Sequence, residues 1–207
     1  VESGVTKNSS IQFLLKTLID SGCTPPDKFI RCMQCVQPQA GGFGMVVEEG
    51  NDKTTNVPDE QCQRTMKHLQ AQFKREQDGD TKLTLQPEIF VCQQYMRNEL
   101  MTHKTVHHEL VHAIDLCRSK MDPIHNCIHL ACTEIRAENL SGECSFANEM
   151  FRMKQFSNHG KECVQRRAIL SVKANPNCAD RAQEYVEAAL PRCYQDYYPY
   201  DRHPNER

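Results

Sequence analysis

The stretch His108-Glu109-Leu110-Val111-His112 has the residue types and the spacing of a metal-dependent hydrolase site. Two histidines four residues apart lie on the same face of an α-helix, where their imidazoles can bind one metal ion. The glutamate between them is turned to one side, where it can take a proton from a water molecule on the metal, the general-base role of zinc hydrolases. Because so short a pattern arises by chance in roughly one chain of this length in a hundred, the surrounding sequence must decide.

The residues around this pattern predict an α-helix with one buried face. Apolar residues recur at helical spacing and form a single stripe: Val106, Leu110, Ala113, Ile114 and Cys117. His108 and His112 fall on a different face, so the helix can pack against a core and still present both imidazoles. Proline and glycine are absent from residues 99 to 121, and Asp122-Pro123 supplies a stop signal. The local sequence therefore favours a metal site over a coincidence.

Glu134 is the predicted third ligand. It lies 22 residues beyond His112, on a second predicted helix that runs from residue 124 to 140 and is closed by Gly142. A carboxylate on a following helix is the third ligand in the His₂Glu class of zinc sites. The predicted buried stripe of this helix is Ile128, Ala131, Cys132 and Ile135.

Other residues could take the place of Glu134. Glu138 lies one turn beyond it, and His125 and His129 are chemically able to bind zinc. Asp115 is seven residues after His108, so about 10.5 Å of helix rise separates the two. We therefore expect Asp115 to orient a histidine ligand from outside the ligand set. His103, His107, His159 and His203 are expected to have structural roles.

The chain carries twelve cysteines in 207 residues, a load that is typical of an oxidising compartment. Cys32-Met33-Gln34-Cys35 has the close spacing of a metal clip, with Cys23 as a possible third member, but a disulfide or a structural thiol is the alternative. Two C-terminal helices, at 163–172 and 178–193, are expected to pair about a turn at 175–177. That hairpin would place Cys163 and Cys193 at its open end, which predicts a Cys163–Cys193 disulfide.

Composition and charge limit the classes of function. The length suits one domain, for which we predict residues 1–207, with a charged surface insertion at about 48–83 and a helical C-terminal subregion at about 145–207. Residues 58–77 of the insertion could form one polar helix, and 146–156 another helix. The formal net charge is −2 with mixed signs, so no nucleic-acid partner is expected. No apolar run approaches the roughly 20 residues that span a bilayer.

A helix and several short β-prone runs precede the histidine helix. Residues 11–19 predict an amphipathic helix that ends at Ser21-Gly22. Gly41-Gly42-Phe43-Gly44 predicts a turn, and the strand that follows begins at Met45. Two further runs flank Pro87, at 83–85 and 89–92. An edge strand beside a zinc helix can bind an extended peptide by strand addition. The residues predicted to bind substrate in this way are Ile89, Phe90, Val91 and Cys92, although the same run could simply be core.

Longer stretches of the chain resemble one protein family. The similarity covers the histidine helix, the second helix and the segment after it, and it extends towards both ends. The residues that carry it are His108-Glu109-Leu110-Val111-His112-Ala113-Ile114-Asp115, His129-Leu130-Ala131-Cys132-Thr133-Glu134-Ile135-Arg136-Ala137, Asn139-Leu140-Ser141-Gly142-Glu143-Cys144, Cys163-Val164-Gln165-Arg166-Arg167, Cys193-Tyr194, Ser21-Gly22-Cys23 and Gly41-Gly42-Phe43. On these motifs the chain resembles the mitochondrial inner-membrane metalloproteases that also act as ATP synthase assembly factors, a family sometimes labelled Ku-binding.

The resemblance implies a fold, a cofactor and a location. The fold would be α+β and predominantly helical, with a zincin-like metalloprotease core, a small sheet beside the HExxH helix and a C-terminal helical hairpin. One zinc ion would be bound by His108, His112 and Glu134, with Glu109 as the catalytic base. The protein would lie in the intermembrane space, peripheral to the inner membrane, which suits the cysteine load. The charged segment at 48–83 departs from the family pattern.

The resemblance also implies partners. The protease would mature the precursor of a mitochondrially encoded membrane subunit of the ATP synthase and help to assemble that enzyme. An alternative is a non-catalytic assembly or accessory subunit of a large inner-membrane complex that retains a zinc site. A secreted protease is a third possibility, and it predicts glycans at Asn8 and Asn139.

Overall fold

A computed structural model of the chain describes residues 7–26, 29–35, 40–49, 83–145 and 159–204. The chain divides into two compact units, Val1–Lys120 and Met121–Arg207. The described residues form three β-strands and five α-helices, which confirms a mixed and mostly helical fold. The prediction of one metalloprotease domain stays a prediction. Within the described residues, no helix is both long and apolar enough to cross a membrane.

Two helices of the first unit follow the sequence prediction closely. Helix α1, Ser9–Asp20, is capped by the side chain of Asn8 and ends before Gly22, whose φ of 83° is readily adopted only by glycine. Helix α2, Glu99–Arg118, is the predicted histidine helix and packs against α1. Its predicted apolar stripe is buried throughout, with exposed fractions from 0% to 6%. The 3.6-residue period therefore identified the face of α2 that packs into the core.

The strands form one sheet in the order β1-β3-β2, with β1 at Ile30–Met33, β2 at Gly41–Glu49 and β3 at Leu83–Cys92. Strand β3 pairs with β1 in parallel and with β2 antiparallel. The predicted edge strand Ile89–Cys92 is wrong, because this half of β3 is paired on both sides and its Ile89, Val91 and Cys92 are fully buried. No backbone edge remains there for a substrate peptide, so these residues form core.

Pro87 lies inside β3, which is continuous where the sequence predicted two runs. It pairs with Met45 of β2, while β1 reaches only as far as Ile89. A proline has no N–H to donate, and it is tolerated in a strand where one side of the backbone needs no donor. The end of β1 therefore explains why the proline does not interrupt β3.

The predicted glycine turn is wrong, because residues 41–44 already belong to β2. A Cβ atom built on Gly41 would lie 2.7 Å from the carbonyl oxygen of Phe90 and 2.7 Å from Cγ2 of Thr105. Glycine is needed here because β2 approaches both β3 and α2 too closely for a side chain. The charged insertion joins β2 to its antiparallel neighbour β3, and residues 50–82, with the predicted polar helix, lie outside the described residues.

Three helices form the second unit: α3 at Cys127–Leu140, α4 at His159–Ala174 and α5 at Ala182–Cys193. Helix α3 begins three residues later than predicted, because Asn126 caps it by accepting from the backbone N–H groups of Ile128 and His129. Its end is as predicted, with Gly142 at a φ of 78°. The predicted pair of C-terminal helices is confirmed, and the predicted helix at 146–156 lies outside the described residues.

The core of the second unit lies between these three helices. Ala131 and Ile135 of α3 are fully buried as predicted, but Ile128 is 39% exposed, because it lies in the first turn where α3 has just begun. Helix α5 is buried at Ala182, Val186, Ala189 and Leu190. Helix α3 contacts both α4 and α5, so the C-terminal hairpin closes over α3.

Five disulfides connect the described cysteines: Cys23–Cys117, Cys35–Cys92, Cys127–Cys178, Cys132–Cys193 and Cys144–Cys163. The predicted Cys163–Cys193 bond is therefore wrong. That prediction considered only the two C-terminal helices. Helix α3 packs against both of them and supplies Cys132, and Cys144 lies shortly after α3. The possible metal clip does not form, because Cys35 is joined to Cys92 in a disulfide and Cys32 is an exposed free thiol.

The residues after α5 are bound by polar side chains of α3. The guanidinium of Arg136 on α3, which is 1% exposed, donates to the carbonyl oxygens of Asp196 and Tyr198. Asn139 donates to the carbonyl oxygen of Tyr194 at 3.0 Å. The segment after α5 is thus held by buried polar groups of α3, because an arginine shielded from water must find acceptors within the protein.

Candidate metal centre

Helix α2 presents His108 and His112 side by side. Their ring centroids are 4.8 Å apart and the rings are inclined at 74°. Both side chains are half-buried, whereas Leu110 and Val111 between them are fully buried. The helix therefore divides this stretch into a core face and a face with two adjacent imidazoles, as residues four apart require.

Glu109 lies next to the first histidine and is 7% exposed. Successive side chains of a helix are rotated by about 100°, so the carboxylate points away from the direction that the two imidazoles share. A glutamate so well shielded from bulk water is suited to proton transfer with a nearby group.

His107 is an unusual neighbour of this pair. It is 9% exposed, and burial, followed by the nearby charge of His108, lowers the pKa of its imidazole to about 4. His107 is therefore neutral at physiological pH and adds no positive charge beside the metal ligands. His103 is also expected to be structural, and its Nδ1 lies 3.2 Å from the side-chain nitrogen of Asn8. This contact joins the starts of α1 and α2.

Asp115 is completely buried on α2. Its carboxylate accepts from Nε of Arg118 at 3.1 Å. Its expected role in orienting a histidine stays a prediction. Arg118 is not among the residues predicted from the sequence, although its spacing of three residues from Asp115 is a known signal for a helical ion pair.

The predicted third ligand, Glu134, lies on α3 in the second unit and is half-buried. Two of its rivals make other contacts within the same unit. Glu138 is bound by Arg167 of α4, and His129 accepts at Nδ1 from the backbone N–H of Asp122 at 3.0 Å. Arg167 could not be predicted as a partner of Glu138, because an acidic partner on another helix leaves no local signal in the sequence.

His125 is the remaining rival on this unit. Its Nδ1 lies 3.1 Å from both carboxylate oxygens of Asp122, within the turn that precedes α3. This contact keeps His125 at an exposed turn, where its side chain is 55% exposed.

The donor types fit a zinc ion. Two imidazoles that share one face of α2, together with a glutamate carboxylate, are the donors of the His₂Glu class, in which three protein ligands leave a position open. The described donors are nitrogen and oxygen, and the neighbouring cysteine Cys117 is occupied by its disulfide to Cys23. The His108 and His112 pair is brought together by the fold, while the place of Glu134 in the set stays a prediction.

The sequence is similar to those of several proteins named as mitochondrial inner membrane proteases. The protein atp23 of Aspergillus niger is 45% identical over 117 residues, which cover 55% of this chain and 49% of the relative. The human ATP23 homolog is 39% identical over 122 residues, covering 58% of this chain and 50% of the relative. The Xenopus laevis ATP23 homolog is 31% identical over 199 residues, covering 95% and 68%.

The matches with these relatives cover only part of the length of each relative. The chain spans about half the length of the fungal and human relatives that it matches. No solved structure matches the chain. The sequence model of the Peptidase M76 family matches residues 44–201, which is more than half of the chain and includes His108, Glu109 and His112. The chain therefore belongs to the Peptidase M76 family.

Proposed function

We propose that this chain is a zinc metalloendopeptidase that faces the mitochondrial intermembrane space and cleaves a precursor polypeptide. The observation that carries the proposal is the arrangement on α2, where two adjacent imidazoles flank the shielded carboxylate of Glu109. The names of the relatives, which are mitochondrial inner membrane proteases, support the activity and the compartment. Five disulfides among the described residues suit an oxidising compartment.

One zinc ion would be bound by His108, His112 and Glu134. The small sheet that packs against α2 supports a zincin-like core, in which the histidine helix lies beside a sheet. Asp115 would orient a histidine from its buried position on α2. When bound, zinc supplies Lewis acidity, which activates a water molecule and polarises the peptide carbonyl group.

Glu109 would supply the proton transfers of peptide hydrolysis. Its carboxylate takes a proton from the attacking water, the oxygen of which forms a bond to the carbonyl carbon of the substrate. The same carboxyl group then gives the proton to the amide nitrogen as the carbon–nitrogen bond breaks. Because Glu109 is shielded and sits on a rigid helix, it can be held in place for both transfers.

An extended substrate would pair with the outer edge of β2. Among the described residues no strand pairs with this edge, and β2 is longer than β1. The close approach of Gly41 to Thr105 places β2 directly on α2, one turn before His108. A peptide added to β2 would therefore run beside the histidine helix, held by backbone hydrogen bonds.

The proposed substrate is the precursor of a membrane subunit of the ATP synthase, and the proposed partners are ATP synthase subunits during assembly. Both follow from the family resemblance of the motifs on α2 and α3. We further propose that the protein is attached peripherally to the inner membrane, a location supported by the names of the relatives.

The experiment that tests this function replaces the proposed base. Glu109→Gln keeps the size of the side chain but cannot accept the proton, so precursor cleavage should fall by at least about 100-fold while zinc content and helicity are retained. Glu99→Gln is the matched control, because Glu99 lies on the same helix with a side chain that is 72% exposed. Undiminished cleavage by Glu109→Gln would remove Glu109 from the mechanism.

The same variants separate the two proposed roles. Co-purification with ATP synthase subunits should survive Glu109→Gln, since binding needs a surface and no proton transfer. Loss of partner binding with zinc retained would show that both roles use one site.

The ligand set predicts different responses at two carboxylates. Glu134→Ala should remove most of the zinc, whereas Asp115→Asn should weaken zinc binding by about 10 to 100-fold, as changes outside the ligand set do. Metal analysis of the purified variants measures both. Full zinc occupancy in Glu134→Ala would contradict the proposed third ligand.

A further inference from the structure

Arg167 of α4 binds two carboxylates at once. Its Nε donates to Glu138 on α3, and its Nη2 donates to Glu143 in the segment that follows α3. The side chain of Glu138 is 3% exposed and that of Arg167 is 36% exposed. Because hydrogen bonds between charged partners are stronger than neutral ones, both carboxylates are held in defined orientations.

A covalent bond fixes the same segment one helical turn away. Cys163 is four residues before Arg167 on α4, and it is joined to Cys144, the residue after Glu143. Residues four apart lie on the same face of a helix, so the disulfide and the guanidinium hold this segment against one side of α4. The disulfide can hold this segment against α4 without Arg167. The positive charge of Arg167 therefore needs another explanation.

The position of Glu138 supplies a reason for that charge. Glu138 is four residues after Glu134, so the two side chains start from the same face of α3, one turn apart. A carboxylate shielded from water needs a cation nearby, and either a guanidinium or a metal ion can meet that need. A free Glu138 would therefore compete with Glu134 as a ligand.

The number of carboxylates also affects which metal is preferred. Oxygen-rich ligand sets favour hard cations such as Mn²⁺ and Ca²⁺, whereas imidazoles with few carboxylates suit zinc. Glu138, Glu143 and Arg167 carry a summed charge of −1, which would become −2 without Arg167.

We infer that Arg167 is a positioning residue that withholds Glu138 and Glu143 from the metal, so that Glu134 is the one carboxylate ligand that this helix offers. The inference rests on the zinc site proposed above. It adds a residue that sets the ligand number and the metal preference of that site without touching the metal.

The test measures zinc affinity by competition with a chromophoric chelator. Glu134→Ala alone should bind zinc weakly, and adding Arg167→Gln should tighten binding by at least about tenfold, because the released Glu138 replaces the lost ligand. A further Glu138→Gln change should return the affinity to that of Glu134→Ala. Arg166→Gln, at the exposed neighbouring arginine of α4, is the matched control and should recover nothing.

A second measurement compares metals in the variant with Glu134 intact. Arg167→Gln should shift the ratio of zinc to manganese affinity towards manganese by about tenfold. If circular dichroism shows that Arg167→Gln is unfolded, Arg167→Lys replaces it, because one ammonium group keeps the charge but cannot span two carboxylates. The ratio should then shift in the same direction.

The outcomes separate this inference from the zinc site itself. Folded Glu134→Ala/Arg167→Gln protein that binds zinc no better than Glu134→Ala, or an unchanged metal ratio, would overturn the role of Arg167 and leave Glu134 as a ligand. Full zinc binding by Glu134→Ala alone would contradict the proposed ligand set, and the inference would fall with it.

Discussion

Acidification should destabilise the metal-free protein through His107. This imidazole is 9% exposed, and its pKa is lowered from 6.5 to about 4, chiefly by burial and secondly by His108. The folded protein thus binds a proton at His107 less tightly than the unfolded chain does. Stability from the neutral imidazole is fully present above pH 6.5 and is lost as the pH falls towards 4.

The size of the effect follows from the difference in pKa. One pKa unit corresponds to about 1.4 kcal/mol, so the full loss below pH 4 is about 3 kcal/mol. At pH 4.5 most of it, about 2.5 kcal/mol, should already be lost. For comparison, the whole free energy of unfolding of a domain is about 5–15 kcal/mol, so the change is large enough to measure.

The assay is urea denaturation at pH 7.5 and pH 4.5 with a chelator present, so that loss of zinc from protonated ligands does not contribute. His107→Gln removes the titrating group but keeps a polar side chain of similar reach. The wild type should lose about 2.5 kcal/mol more than this variant between the two pH values. Equal losses in both proteins would refute the assignment of the acid sensitivity to His107.

The close packing of β2 and the disulfide connectivity give two further predictions. Gly41→Ala should lower the free energy of unfolding by about 1–3 kcal/mol, because its Cβ would meet backbone and side-chain atoms at 2.7 Å. Gly44→Ala is the matched control and should cost nothing, since its Cβ has no neighbour within 4 Å, and equal losses in urea titrations would argue against this packing. Peptide mapping under non-reducing conditions should recover Cys163 joined to Cys144, and a Cys163–Cys193 peptide would contradict this connectivity.

The helices could be predicted because their signals are local. The apolar stripe of α2, the proline after it and the glycine after α3 each act within a few residues, so one sequence is enough to read them. The same holds for the pair His108 and His112, whose relative position is set by one turn of helix. Even the late start of α3 is a local effect, since Asn126 is a recognisable cap that the analysis overlooked.

The sheet could not be predicted because its pairing is nonlocal. Nothing near Ile89 indicates that β1, almost sixty residues earlier, pairs with β3 on the side opposite β2. The glycine at 41 looked like a turn because the sequence does not show that Phe90 and Thr105 approach it. An edge strand and a central strand have similar composition when both are short.

The disulfide pairing of Cys163 and the contacts of the C-terminal residues could not be predicted, because they too depend on nonlocal packing. The predicted pairing of Cys163 takes account of two helices only, whereas α3 packs against both and supplies Cys132 to Cys193. Arg136 is buried on α3 and donates to backbone carbonyl groups far along the chain, contacts that no local pattern indicates. The partners of buried polar residues are thus not identified by apolar stripes alone.

The central claim is that His108, His112 and Glu134 bind one zinc ion beside Glu109. The most direct measurement is the anomalous scattering of crystals at the zinc absorption edge, with the ligands of each peak counted. The account predicts one peak per chain, about 2.0–2.1 Å from a ring nitrogen of each histidine and about 2.0–2.2 Å from an oxygen of Glu134, with the carboxylate of Glu109 outside this shell. A stoichiometric peak elsewhere, or one at the two histidines with Glu138 or Glu109 in the place of Glu134, would contradict it.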